Sequence, residues 1–155
     1  MSARTEATVR IDAPMDTVWD MTNDVESWTS LFTEYAEATV LARDGDTIRF
    51  RLALHPDENG KVWSWVSERT PDRATRTVRA HRVETGPFEF MNIFWDYREA
   101  PGGGVDMRWV QEFHVKDEMP FDDDAMAEHL RANTAVQMAH IKEQVEKKAA
   151  GSTLS

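Results

Sequence analysis

The spacing of apolar residues changes twice along the chain. Residues 3–12 alternate, with Val9 and Ile11 opposed to Thr8, Arg10 and Asp12, which is the period of a half-buried strand. Ala13-Pro14 ends that run, and Pro14 suits the first turn of a helix, where a missing N–H costs nothing. Met15, Val18, Trp19 and Thr22 then recur at helical spacing and predict a short helix closed by Asn23-Asp24. Val25 to Phe32 reads as irregular or short helical structure carrying Trp28, Leu31 and Phe32. From Tyr35 the period becomes two, and strands are expected at about 35–43, 47–55, 61–70, 75–85, 88–99 and 105–115. Turn chemistry separates them: Asp44-Gly45-Asp46, the hairpin signal Asn59-Gly60, Pro71-Asp72, Gly86-Pro87 and Gly102 to Gly104. Successive hairpins of this kind make an antiparallel meander.

The period changes again after Pro120-Phe121-Asp122-Asp123-Asp124, whose acids suit the cap and positive end of a helix. Met126, Leu130, Asn133/Thr134, Gln137/Met138, Ile141 and Val145 follow at steps of three or four, predicting one long helix to about Lys148. Residues 151–155 read as a frayed, disordered tail, which leaves one domain over residues 1–150 with neither repeats nor a linker. The expected class is α+β: a seven-stranded antiparallel sheet with a long C-terminal helix.

Composition narrows the chemistry. The chain has 155 residues, with 18 Lys+Arg against 28 Asp+Glu, and a net charge of −10 argues against nucleic acid or an anionic membrane as partner. It has no cysteine, which removes disulfides, thiolate metal sites and a cysteine nucleophile. No apolar run approaches the roughly 18 residues of a membrane-spanning helix, and the first residues lack a signal-peptide core. A soluble, cytoplasmic protein is the expectation. His55, His81, His114, His129 and His140 have no ligand spacing, so neither a metal nor a cofactor is expected. Gly102 to Gly104 is a turn, since it does not open a helix after a strand as a phosphate loop would.

Six tryptophans and seven phenylalanines against two tyrosines are the unusual feature, because a small domain seldom needs six indoles for its core alone. In the expected strand 61–70, Trp63, Trp65, Ser67 and Arg69 share a face, giving the row indole, indole, hydroxyl, guanidinium. Two readings are open. The indoles are ordinary core with Arg69 paired to an acid, or the row lines a hollow. Other rows favour the hollow: Met91, Trp95 and Tyr97 share parity, opposite Phe88, Phe90 and Phe94. Met107, Trp109, Gln111 and Phe113 place an amide among apolar groups, and Asn133, Thr134 and Gln137 interrupt the apolar stripe of the last helix. Polar groups scattered over faces that should be core fit an aromatic-lined pocket.

These residues also carry a resemblance. Residues 13–38 (APMDTVWDMTNDVESWTSLFTEYAEA), 59–92 (NGKVWSWVSERTPDRATRTVRAHRVETGPFEFMN) and 107–113 (MRWVQEF) resemble the monodomain aromatase/cyclases of bacterial type II polyketide synthases. The similarity spans nearly the whole chain and is nearest the tetracenomycin and spore-pigment kind, within the START-like, helix-grip superfamily. It implies a curved antiparallel sheet around a long C-terminal helix over an internal cavity. It implies aldol closure of the first ring of a carrier-bound poly-β-ketone, between C9 and C14, followed by dehydrative aromatisation. The implied catalytic residues are Arg69, Tyr35 and Ser67, and Trp28, Phe32, Trp63, Trp65, Phe88, Met91 and Trp95 would shape the cavity. Arg82, Gln111 and Asn133 would add polar contacts. The implied partners are an acyl carrier protein and, as a further contact, the ketosynthase/chain-length factor.

On pKa grounds an arginine is a poor proton donor, so Arg69 is expected to polarise a ketone and hold the developing oxyanion. If Arg69 lies close to Tyr35, its charge would favour the phenolate and let Tyr35 shuttle protons; otherwise Tyr35 is a rim residue bonded to backbone. Ser67 would position a carbonyl or a water. Arg69, Arg73, Arg76, Arg79 and Arg82 crowd one hairpin, either as a docking face for an acidic carrier protein or as a strand edge with scattered ion pairs. A non-catalytic carrier of hydrophobic ligands on the same fold is the competing function, since a cavity alone does not separate transport from catalysis.

Overall fold

The computed structural model describes residues 2–153, with side chains from Ser2 to Ala150. Seven strands and three helices follow in the expected order: β1 (Ala3–Ile11), α1 (Met15–Asn23), a 3-10 turn (Val25–Ser27), α2 (Trp28–Leu31), β2 (Tyr35–Asp44), β3 (Thr47–Leu54), β4 (Ser64–Asp72), β5 (Thr77–Arg82), β6 (Phe88–Glu99), β7 (Val105–Val115) and α3 (Asp123–Thr153). All strands join one antiparallel sheet in the order β1-β7-β6-β5-β4-β3-β2, so the chain's first strand closes against its last. The expected α+β, helix-grip architecture is the one observed.

Alternation along each strand and register across the sheet decide what faces α3. Leu52 stands opposite Trp65, and Phe50 opposite Ser67, which in turn pairs with Arg82. Arg69 pairs with Ala80, Ala80 with Ile93, Ile93 with Gln111 and Gln111 with Thr5. Val78, Trp95 and Trp109 make the next row. Directly opposed residues share a face, so these rows form one continuous inner wall.

Helix α3 starts as the acidic run predicts, with Asp122 Oδ1 accepting from Ala125 N at 2.9 Å. Asp123 instead ties the helix to β7, its carboxylate accepting from Val115 N at 2.7 Å and lying 2.8 Å from His114 Nδ1. Further along, Ala127, Thr134, Gln137, Met138, Ile141 and Val145 are buried. The helix runs through Thr153, so residues 151–153 of the expected tail are helical, and Leu154 and Ser155 lie outside the described residues. Gly104 closes the β6–β7 turn at φ 80°, where an added Cβ would sit 2.8 Å from the Ile11 carbonyl oxygen.

Candidate active site

Sheet and helix enclose a cavity of about 600 Å³, lined mainly by apolar and aromatic side chains. Its inner end is an aromatic cluster. Trp28 stacks parallel to Trp95 at 6.3 Å and leans on Phe32 at 4.8 Å, while Trp95 meets Trp109 at 5.0 Å. Tyr35 stacks on Trp28 at 6.2 Å and meets Trp65 edge-on at 6.2 Å. Such ring pairs add about 0.5–1.5 kcal/mol each beyond area burial, so the wall is stiff.

The expected site residues come together on the cavity wall, with one correction to a strand start and one to strand parity. Strand β4 begins at Ser64 rather than residue 61, but the ladder runs one step further, with Trp63 O accepting from Leu54 N at 2.8 Å, and Trp63 lines the cavity with Trp65, Ser67 and Arg69. It remains on the rim of the cavity with 44% of its surface exposed, its indole N–H donating to Asp57 at 3.2 Å and Lys61 3.8 Å from its ring centre. The late start of the strand is local: Asp57 Oδ1 accepts from the backbone of Asn59 and Lys61, so the first residue of the expected strand is held in this knot. Those bonds hold the Asp57 carboxyl below its usual value, the Lys61 backbone bond most of all. The second correction concerns Phe88. Parity puts it opposite Met91, but a β-bulge between Phe88 and Phe90 turns it inward, where it is buried on the cavity wall.

Arg69 is 1% exposed and held from below. Its Nε and Nη2 donate to Asn23 Oδ1 at 3.2 and 2.8 Å, and Nη2 also donates to the Thr22 carbonyl at 3.2 Å. These acceptors sit at the C-terminal end of α1, the negative end of a helix. The guanidinium lies between Trp95 (4.8 Å) and Trp28 (5.1 Å). Burial pushes it below the ordinary arginine value, while Tyr97 and Tyr35 oppose that shift. Tyr97 belongs to the same knot, its hydroxyl 2.7 Å from Thr22 Oγ1.

Tyr35 departs from expectation in its protonation. Burial drives its pKa well above 10, the Glu34 carboxylate beside it adds to the rise, and Arg82 and Arg69 offset only part of it. Tyr35 is thus a neutral phenol at physiological pH, and proximity to Arg69 does not make it a phenolate. Ser67 is buried on the cavity wall between Phe50 and Arg82. Gln111 Oε1 accepts from Thr5 Oγ1 at 3.1 Å and Thr134 Oγ1 at 3.3 Å, which fixes the amide inside the wall. Gln137, read as a polar interruption of α3, turns away to hold Thr33, accepting from its backbone N at 2.9 Å and donating to its hydroxyl at 2.9 Å.

The hairpin arginines do not form one basic face. Arg69 and Arg82 turn inward, Arg73 pairs with Asp20 at 2.8 Å, and Arg76 pairs with Asp16 at 3.0 Å. Arg79 covers the outer ring of Phe94 at 4.9 Å. The geometry shows scattered ion pairs rather than one basic face, although β4 and β5 lie inside the sheet and not at its edge.

Sequence reasoning passed over three polar residues on the cavity wall, Glu34, Ser64 and His129. Glu34 sits in the joint between α2 and β2 and accepts from Asn133 Nδ2 at 3.0 Å. An isolated acid between elements has no periodicity, so no spacing rule could have placed it.

The comparisons with known proteins agree with this geometry. The profile of the family described as polyketide cyclase / dehydrase and lipid transport matches residues 11–140, and the chain belongs to that family. It is 55% identical over 146 residues to a protein of Streptomyces cyaneus provisionally named a polyketide cyclase, covering 94% of this chain and 95% of that one. It is 29% identical over 133 residues to the actinorhodin polyketide synthase bifunctional cyclase/dehydratase of Streptomyces coelicolor, covering 85% of this chain and 40% of that longer protein. The Zhui aromatase/cyclase from Streptomyces sp. R1128 shares the fold at a TM-score of 0.79 and 20% identity, over 97% of this chain and 94% of that one. START superfamily proteins follow the same chain path. Among the described residues no helix is long and apolar enough to cross a membrane, and no three His, Asp or Glu side chains group to hold a metal.

Proposed function

We propose that this protein directs the first aldol ring closure of a poly-β-ketone, between C9 and C14, and its dehydrative aromatisation. In this reading the chain arrives on an acyl carrier protein within a type II polyketide synthase, with the ketosynthase/chain-length factor alongside. One observation carries the reading: a rigid aromatic hollow holds alcohol, phenol and guanidinium groups on a wall that a plain core would fill with apolar side chains. A chain with many ketones can close wrongly in several places, so holding two reacting carbons near contact supplies most of the catalysis. Indoles do this with few rotamers to freeze.

Tyr35, as a neutral phenol, donates a hydrogen bond to a ketone oxygen. Ser67 positions a second oxygen beside it. Arg69 is tied to α1, so its part is a fixed positive field beneath the wall that favours charge developing on oxygen. The small polar count inside also suits a chain whose only polar atoms are carbonyls.

The reading is tested by adding the protein to a reconstituted minimal synthase and analysing products. One dominant first-ring product is expected, and Trp65→Ala and Arg69→Ala should restore shunt products while the protein stays folded. A product mixture unchanged by the wild-type protein, with tight binding of an oligoketide mimic, would assign it to ligand carriage instead.

A further inference from the structure

The proposed function leaves one step without an agent. Removing a proton from the carbon between two carbonyls needs a base, and neither a cationic arginine, a neutral phenol nor a serine hydroxyl accepts a proton near neutral pH. Among the described residues that line the cavity, Glu34 is the one carboxylate. It is partly buried, one of its oxygens is oriented by Asn133 Nδ2 at 3.0 Å, and the Tyr35 hydroxyl lies beside it.

Facing the same space is Arg82, the last residue of β5, standing beside Ser67 in the sheet register. Its guanidinium stacks over Trp65 at 4.0 Å and Phe88 at 4.9 Å, while among the described residues none forms a hydrogen bond or ion pair with it. Arg69 differs, because its Nε and Nη2 are already engaged by Asn23 and Thr22. The cavity thus presents an oriented carboxylate and an uncommitted donor fork that sense each other without pairing. An enolisable dicarbonyl unit has the matching polarity, with an acidic C–H beside an oxygen that becomes negative.

We infer that Glu34 is the base that takes the methylene proton in ring closure and that Arg82 holds the resulting enolate oxygen. In this step the C–H bond breaks and its proton forms an O–H bond on Glu34. The C–H electron pair becomes the enolate double bond, and the carbonyl oxygen takes the negative charge against Arg82. The enolate carbon then attacks the distant ketone, a C–C bond forms, and the proton on Glu34 passes to the new alkoxide. No oxidant or metal enters the balance. Burial raises the Glu34 carboxyl above its usual value and lowers Arg82 to about 10, so the acid is a stronger base than usual and the arginine stays cationic at pH 7.

This inference rests on the proposed function, and its test separates the two. The probe is a β-keto thioester in deuterated buffer, with exchange at its methylene followed by NMR, beside product analysis in the reconstituted synthase. Wild-type protein should accelerate exchange, and Glu34→Gln, which keeps an oxygen for Asn133, should slow it roughly 100-fold or more. Glu34→Asp, with its carboxylate drawn back, should fall between them, which guards against a Gln variant that folds poorly. Wild-type exchange should rise with pH through a midpoint above 4.5, the ordinary value for glutamate. The groups facing Glu34 are Tyr35, Asn133, Arg82 and His129, so the profile should survive in His129→Gln and flatten in Glu34→Gln. Arg82→Met should slow exchange while Arg82→Lys restores part of it. Glu34→Gln exchanging as fast as wild type, or loss of exchange on His129→Gln instead, would overturn the assignment. Glu34-dependent exchange without control of ring closure would uphold the base and refute the cyclase reading.

Discussion

Asn23→Ala probes how the buried cation is held. It removes the Oδ1 atom that receives Arg69 Nε and Nη2 at 3.2 and 2.8 Å. Arg69 is 1% exposed, so bulk water does not replace that acceptor, and the Thr22 carbonyl at 3.2 Å and the Tyr97 hydroxyl are left to hold the guanidinium. A hydrogen bond to a charged group contributes about 1.5–3 kcal/mol. The two bonds share one acceptor atom and do not add in full, so the expected loss is about 2–4 kcal/mol. With a urea slope of about 2 kcal/mol per molar, the unfolding midpoint falls by about 1–2 M at unchanged slope. Asn23→Asp keeps the acceptor and should retain most of the stability. A loss under about 1 kcal/mol in Asn23→Ala would refute the claim that α1 anchors Arg69, and with it the view that this guanidinium acts as a fixed field.

Three further outcomes follow from the same contacts. Both tyrosines of the chain, Tyr35 and Tyr97, are raised by burial, so tyrosinate absorbance should not develop near pH 10 while the protein is folded. Because the folded state keeps these protons, their contribution to stability is complete below about pH 10 and lost as pH rises further, so alkaline titration should coincide with unfolding; one tyrosine titrating normally in folded protein would contradict it. His114, bonded to Asp123, should titrate above 6.5 by NMR and return toward it in Asp123→Asn; an unchanged midpoint would remove that clamp. Trp95→Ala should cost about 3–5 kcal/mol in urea unfolding, whereas Trp63→Ala, at 44% exposure, should cost under about 1 kcal/mol. Equal losses would mean that Trp63 packs like core.

What the sequence disclosed and what it hid have physical reasons. Period-two and period-3.6 patterns are local, so the seven strands, the long helix and the inward row Trp65, Ser67, Arg69 could be read directly. Phe88 could not, because a single bulge shifts parity and leaves no compositional mark. The late start of β4 was hidden because the Asp57 side chain competes for the Lys61 backbone N–H that a strand would use. Asn23 and Arg69 are 46 positions apart, and only the tertiary fold shows that α1 ends beneath β4. The sign of the Tyr35 shift was out of reach for the same reason, since it depends on burial and on Glu34 more than on the arginines. For the arginine hairpin, strand parity already separates Arg79 from Arg82, but the acids Asp16 and Asp20 that neutralise Arg76 and Arg73 come from α1.

A crystal structure with a hydrolysis-stable oligoketone mimic tests the central claim most directly. The account predicts the mimic coiled between the sheet and α3, with carbonyl oxygens within hydrogen-bond distance of Tyr35, Ser67 and Arg82. A mimic bound only on the outer surface, or lying inside with no oxygen near any of the three, would contradict it.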